Sequence, residues 1–202
     1  SRMSGDLMVQ ITRAADLTVI GANGGGWVAP TGSSAPDSPL TQPLAPWAAL
    51  GAISDDGLVY GFDEDSQEFT PWGLTSPFRT QITKSVRTFG LTLWETSRTT
   101  VQSIMYRIPE GDLEPDVDGI TSFAETASPT PDRRAWWFVV LDGSTAKGFY
   151  VPQGEISDRS DVTFKQDEMS GYEITVTAYP DEAGNTVYHT DSVPATPVAP
   201  AS

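Results

Sequence analysis

Residues 134–141, RAWWFVVL, followed by Asp142-Gly143, constrain the fold more than any other stretch of the chain. A near-continuous apolar run closed by a dipeptide that favours a tight turn reads as a fully buried strand entering a hairpin with residues 147–151. Two other segments alternate. Residues 86–95 place Phe89, Leu91 and Leu93 on one face and Thr88, Gly90, Thr92 and Trp94 on the other. Ile174, Val176 and Ala178 alternate in the same way with Thr175, Thr177 and Tyr179. Period two with one apolar side is the signature of a strand with one buried face.

Residues 181–185, DEAGN, predict a turn between the strand that ends near Tyr179 and a short strand over residues 186–189. The helical exception is residues 97–106, where Val101, Ile104 and Met105 fall at i, i+3 and i+4. Thr96 or Ser97 is placed to cap its start, and Pro109 marks its end. These parts predict a mainly β protein, an antiparallel β-sandwich or barrel with one flanking α-helix.

Punctuation divides the chain into an N-terminal segment (1–20), a Gly/Pro-rich extended arm (21–50), a β domain (51–191) and a flexible Pro/Ala-rich tail (192–202). The arm is expected to hold little regular structure, because residues 21–46 contain Gly24-Gly25-Gly26 and five prolines. Trp27 and Trp47 interrupt it. A purely solvated linker has little use for two tryptophans, so they are expected to cover apolar surface of their own subunit or of a neighbour.

At 202 residues the chain is long enough for one ordinary domain with its own core. Twelve cationic side chains face twenty-seven acids, for a formal charge of −15, so the electropositive footprint of a nucleic-acid binder is missing. Cysteine is absent, which excludes a disulfide framework, a thiol nucleophile and Cys-based metal sites. No run is apolar enough to span a membrane as a helix. The first residues, Ser1-Arg2-Met3-Ser4, do not read as a signal peptide.

Three constellations have a chemical reading to weigh against a bland one. His189 is the only histidine, with Asp191 two residues on, but no Gly-x-Ser-x-Gly elbow accompanies them and a surface histidine explains the pair. The acid pairs Asp55-Asp56, Asp63-Glu64-Asp65 with Glu68, and Asp116 with Asp118 would suit glycoside hydrolysis, and exposed tryptophans would suit a sugar platform. In a chain this acidic, solvated edge charges account for them equally. Glu114, Asp116, Asp118 and Glu125 fall where an EF-hand loop carries ligands, with Gly119 at the turn position. Against calcium, the first position is Glu, Pro115 stiffens the loop and no amphipathic helices flank it; an exposed acidic turn explains the same residues. The alternatives left open by these features are a carbohydrate-binding β-sandwich module and a calcium-dependent adhesin.

Arg79, Lys84, Arg87, Arg98 and Arg107 follow directly on the acidic stretch from Asp55 to Glu68. Blocks of opposite sign favour head-to-tail association of copies, with intramolecular pairing between neighbouring strands as the alternative.

Four landmarks occur in order over residues 29–106: the leader PTGSSAP ahead of Trp47, the turn and strand GAISDDGL, an acidic strand ending at Trp72, and the strand-to-helix run FGLTLWET. Together they resemble the major tail tube protein of long-tailed bacteriophages, especially those infecting actinobacteria. The resemblance implies no enzymatic activity and no cofactor. It implies a β-sandwich-like subunit with a flanking helix, in hexameric rings stacked into a hollow tube in the virion tail, assembled in the host cytoplasm. It also implies that the loop over residues 68–78, with Trp72 and Phe78, and the arms join one ring to the next. The implied partners are other copies of the chain, a tape-measure protein, a tail terminator, distal tail proteins, and double-stranded DNA that passes without specific binding. Asp55, Asp56, Asp63, Glu64, Asp65 and Glu68 are the candidates for an acidic lumen, and Trp27, Trp47, Trp72, Phe78, Arg79, Arg87 and Arg98 for contacts between subunits.

Overall fold

The computed structural model describes residue 21 and residues 23–193. The N-terminal segment lies outside the described residues, as does the Pro/Ala-rich tail apart from Ser192 and Val193. Among the described residues eight strands and one α-helix follow in the order β1 (Asn23–Pro30), β2 (Ala48–Ala49), β3 (Val59–Phe69), β4 (Arg79–Leu93), α1 (Thr99–Tyr106), β5 (Arg134–Asp142), β6 (Thr145–Arg159), β7 (Tyr172–Tyr179) and β8 (Tyr188–Ser192). A 3-10 turn, Glu110–Leu113, follows α1.

All the strand pairs are antiparallel, in the order β2-β1-β5-β6-β7-β4-β3, with β8 attached to β6. The long strand β6 organises the sheet. Residues 146–150 pair with β8 and residues 153–159 with β7, while β5 runs along the opposite edge. Pro152, which has no amide hydrogen to donate, falls in the gap between the two partners, where a proline does least harm to a ladder.

The sheet then curls on itself. Phe89 of β4 stacks on Phe138 of β5 with centroids 4.8 Å apart, although β6 and β7 separate those strands along the ladder. Only a sheet folded into two facing layers brings them together, as expected of a sandwich. The alternation expected for β4 and β7 holds: Phe89, Leu91, Leu93, Ile174, Val176 and Ala178 are all buried. So does the double burial of β5, whose Trp136 and Trp137 point to opposite faces and are both fully covered. Room for the two indoles comes from glycines of β6. A Cβ on Gly154 would lie 2.3 Å from Trp136 Cδ1, and one on Gly148 the same distance from Trp137 Cη2.

The reading of the arm as irregular fails over its first third. Asn23–Pro30 pairs with β5 along its whole length, from Asn23↔Leu141 to Pro30↔Arg134. A buried central strand needs ladder partners on both edges, and that demand overrides the glycine-rich composition. Beyond Pro30 the chain has turns and no strand before β2. It is tied to its own subunit: Trp47 Nε1 donates to Ser34 O at 3.1 Å, the Tyr150 hydroxyl donates to Ser33 O at 2.6 Å, and the two rings meet edge to face.

The helix also starts later than the sequence suggests. Arg98 is its N-cap and supplies no side-chain cap bond, so neither Thr96 nor Ser97 performs that role. The loop ahead of it is instead organised by Glu95. Its carboxylate accepts from Arg98 Nη2 at 2.7 Å and from the backbone N–H of Ala52, which joins residues 51–52 to the helix start. Gly51 (φ 79°) passes so close to this knot that a Cβ would meet the carboxylate. At the other end, Arg159 donates to the carbonyls of Met105 (2.9 Å) and Ile104 (3.2 Å), placing a cation on the last turn where the helix dipole favours one. The last short strand begins at Tyr188, two residues later than the pattern suggests, and runs to Ser192. The turn before it is held by Asp181, whose Oδ1 accepts from the amides of Ala183 and Asn185.

Candidate assembly surface

Only part of the long strand β4 belongs to the body. Residues 87–93 pair with β7, whereas residues 79–86 pair with β3 alone and leave the sheet as a two-stranded ribbon. The loop at its tip closes through the Phe78 amide and Phe69 O at 2.8 Å. Trp72 at the tip is fully exposed, and Leu74, Phe78, Phe62 and Ile82 expose more than half of their surface. A lone ribbon is marginal in water, and a contiguous exposed apolar surface on it marks a contact site.

Residues opposite each other in the ladder share a face, so the register sorts the acids. Tyr60, Phe62 and Glu64 lie opposite Phe89, Arg87 and Ser85, on the face continuous with the core. Beyond a bulge at Asp65/Ser66, Glu68 and Ile82 keep to that face. Asp63 and Asp65 lie on the other, which continues onto β4 and β7 through Thr88, Thr92, Glu173, Thr175 and Thr177. The strand acids therefore divide between two walls. Asp55 and Asp56 sit in a separate exposed turn closed by Gly57 N–H to Ser54 O at 3.0 Å.

The blocks of opposite charge meet within the chain. Lys84 pairs with Asp63 at 2.7 Å and Arg87 with Glu64 at 2.8 Å, the Arg87 guanidinium also resting 4.6 Å from the Phe62 ring centre. The hydrogen bond that Lys84 donates to Asp63, followed by the Asp63 charge, raises the pKa of Lys84. Exposed pairs of this kind contribute roughly 0–1 kcal/mol each. Arg98 is engaged with Glu95, Trp47 with Ser34 and Tyr150, and the Trp27 ring lies over Gly25. Of the candidate contact residues, Trp72, Phe78 and Arg79 are the ones fully presented at the ribbon's end.

The calcium spacing does not close into a site. Asp116 Oδ1 accepts from the backbone amides of Asp118 and Ile120, each at 2.9 Å, so it shapes a turn. Among the described residues no group of three or more His, Asp or Glu side chains is placed to hold a metal ion. His189 lies edge-on to Tyr60 and Phe149 on β8, and Asp191 pairs with Lys147 at 3.2 Å, so the two do not form a catalytic pair.

A second surface escaped the sequence reading. Arg107, Arg133, Arg134 and Arg159 converge at the C-terminal end of α1, four of the chain's nine arginines. Arg134 is held by Asp132 and by Ser103 Oγ at 2.8 Å. Arg133 stands 3.8 Å from Glu155 and covers the Tyr179 ring. Burial, then the charge of Arg107, lowers the pKa of Arg159. The signal available beforehand was the Arg133-Arg134 dipeptide in a chain short of cations.

A family model described as phage tail tube protein matches residues 12–198. The chain belongs to that family. Its role is structural, in the tube of a phage tail, and the family is not one of enzymes. Among solved structures the tail tube protein is similar to the sheath/tube terminator of an extracellular contractile injection system, PVC, in its extended state. That likeness has a TM-score of 0.45 at 10% identity, over 88% of this chain and 99% of the other. No curated protein matches the chain. Among the described residues of the tail tube protein no helix is long and apolar enough to cross a membrane.

Proposed function

We propose that this tail tube protein forms hexameric rings that stack into the tail tube of a long-tailed phage of actinobacteria, a conduit for double-stranded DNA. The observation that supports this most is the ribbon β3–β4, whose Trp72, Leu74 and Phe78 are exposed and have no cover among the described residues. Such a surface is stabilised when another copy lies against it. Heterologous contacts of this kind close into rings or climb into filaments.

The polar face carrying Asp63, Asp65, Thr88, Thr92, Glu173, Thr175 and Thr177 is the one suited to the lumen. It offers hydroxyls and carboxylates and no cluster of cations. A net charge of −15 per copy repels phosphate, so DNA slides and is not held. The apolar face, with Phe62 and Ile82, belongs against the neighbour. Assembly takes place in the host cytoplasm, with a tape-measure protein, a tail terminator and distal tail proteins as partners. Negative-stain imaging of the purified protein tests the reading: rings or tubes are expected, and a strictly monomeric particle at high concentration would overturn it.

A further inference from the structure

Two surfaces lack a partner among the described residues, and their chemistries match. One is a groove of about 460 Å³ at the C-terminal end of α1, floored by Val28, Ala29 and Pro46 and rimmed by Arg107 and Arg133. The other is the tip of the ribbon, with Trp72, Leu74 and Phe78 exposed and Glu68 at its base.

Arg107 is the informative residue of the groove. It takes the left-handed conformation (φ 57°), the one non-glycine residue among those described with positive φ, at a cap position where glycine is favoured. A side chain here carries a backbone cost of about 1–2 kcal/mol. Among the described residues nothing offsets it. Its amide reaches Ser103 O, which glycine would do equally well. The helix carbonyls are already capped by Arg159, and Asp132 is bound to Arg134. Among the described residues the Arg107 guanidinium makes no hydrogen bond or ion pair, and its near neighbour Arg159 has the same charge. Glu110 also lines the groove without pairing to it.

We propose that this groove receives the ribbon tip of a second copy of the chain, with Trp72 on the apolar floor against the Arg107 guanidinium and Glu68 near the arginine rim. The proposal rests on the tube reading and supplies the acceptor for its projecting ribbon. An indole beside a guanidinium gains from cation–π attraction as well as burial, and a carboxylate entering a cationic rim on a strongly acidic chain fixes the direction of docking. The two surfaces are different, so the contact is heterologous and propagates from copy to copy.

Arg107→Gly separates docking from folding, because glycine adopts the left-handed cap without strain. Its melting temperature should equal or exceed that of the parent, while the concentration needed for assembly rises by about tenfold or more. Trp72→Ala should raise that threshold similarly, and the double variant should be little worse than either single one, since both remove one contact. The chain has no cysteine, so a Ser76→Cys, Thr130→Cys double variant should form intermolecular disulfides in assemblies and not in dilute monomers. Arg107→Gly assembling at the parent's concentration, or additive effects, or tubes without the disulfide, would each overturn the docking and leave the tube reading standing. A parent protein that never assembles would remove both.

Discussion

The body of the subunit and the ribbon that leaves it are built from the same strand, yet they obey different accounts. Within residues 87–90, β4 has a strand partner on each side, and Phe89, Leu91 and Leu93 lie in the closed core. A few residues earlier the strand has one partner, and the apolar side chains of Ile82 and, just ahead of the strand, Phe78 are mostly exposed. The body meets its own requirements. The ribbon's exposed tip has no cover among the described residues, and the proposed assembly supplies that cover from another copy.

Exchanging tryptophans gives the largest test of that contrast. Trp136→Ala empties a fully buried site stacked on Phe138, and should destabilise the subunit by about 3–5 kcal/mol in chemical denaturation. Trp72→Ala removes a side chain of equal size from the fully exposed tip, and should change subunit stability by less than about 0.5 kcal/mol while raising the concentration needed for assembly by about tenfold or more. If the two variants lose similar stability, the ribbon is part of the cooperative body and the division is wrong.

The body was the legible part because burial leaves a period in the sequence. Phe89, Leu91 and Leu93 repeat every second residue, and RAWWFVVL announced a strand covered on both faces. The ribbon stem left a weaker trace, since Phe62 and Ile82 stand among acids and polar residues and no core fixes their period. Composition misled at β1, where three glycines read as a loop although they allow close approach: a Cβ on Gly26 would lie 2.8 Å from Leu50 Cδ1. The arginine groove was illegible for another reason. Its members come from the end of α1 and from β5 and its approach, and only the fold brings Arg107 beside Arg133 and Arg134. The presence of Arg79, Arg87 and Arg98 in one stretch suggested intermolecular contacts, but strand pairing and the Glu95 knot consume the last two within the subunit.

The boundary between body and loop offers a smaller effect. Gly51→Ala places a Cβ at φ 79° against the Glu95 carboxylate, and should cost about 1–2 kcal/mol of subunit stability from backbone strain alone. Hydrogen exchange at Ala52 should rise in the variant, because the displaced carboxylate no longer accepts from that amide. Unchanged stability would mean that residues 51–52 are not fixed by the helix start.

Acid should loosen the same knot by the smallest amount. Arg98, then the Ala52 amide, hold the Glu95 pKa below the usual glutamate range. A carboxyl whose pKa is depressed on folding contributes stability that is present above its unfolded-state value and lost as the pH falls through the folded-state one. Stability should therefore decline on acidification below about pH 4.3, the ordinary glutamate value, with a part that Glu95→Gln abolishes. The group is exposed, so water and salt screen that part, and it should shrink further in high salt. The turn acid Asp181 is held low in the same sense by the Tyr188 hydroxyl and the Asn185 amide, so the glutamine variant should retain a residual acid dependence from the β7–β8 turn. If Glu95→Gln leaves the whole acid limb intact, the link between helix start and residues 51–52 is held by packing and not by charge.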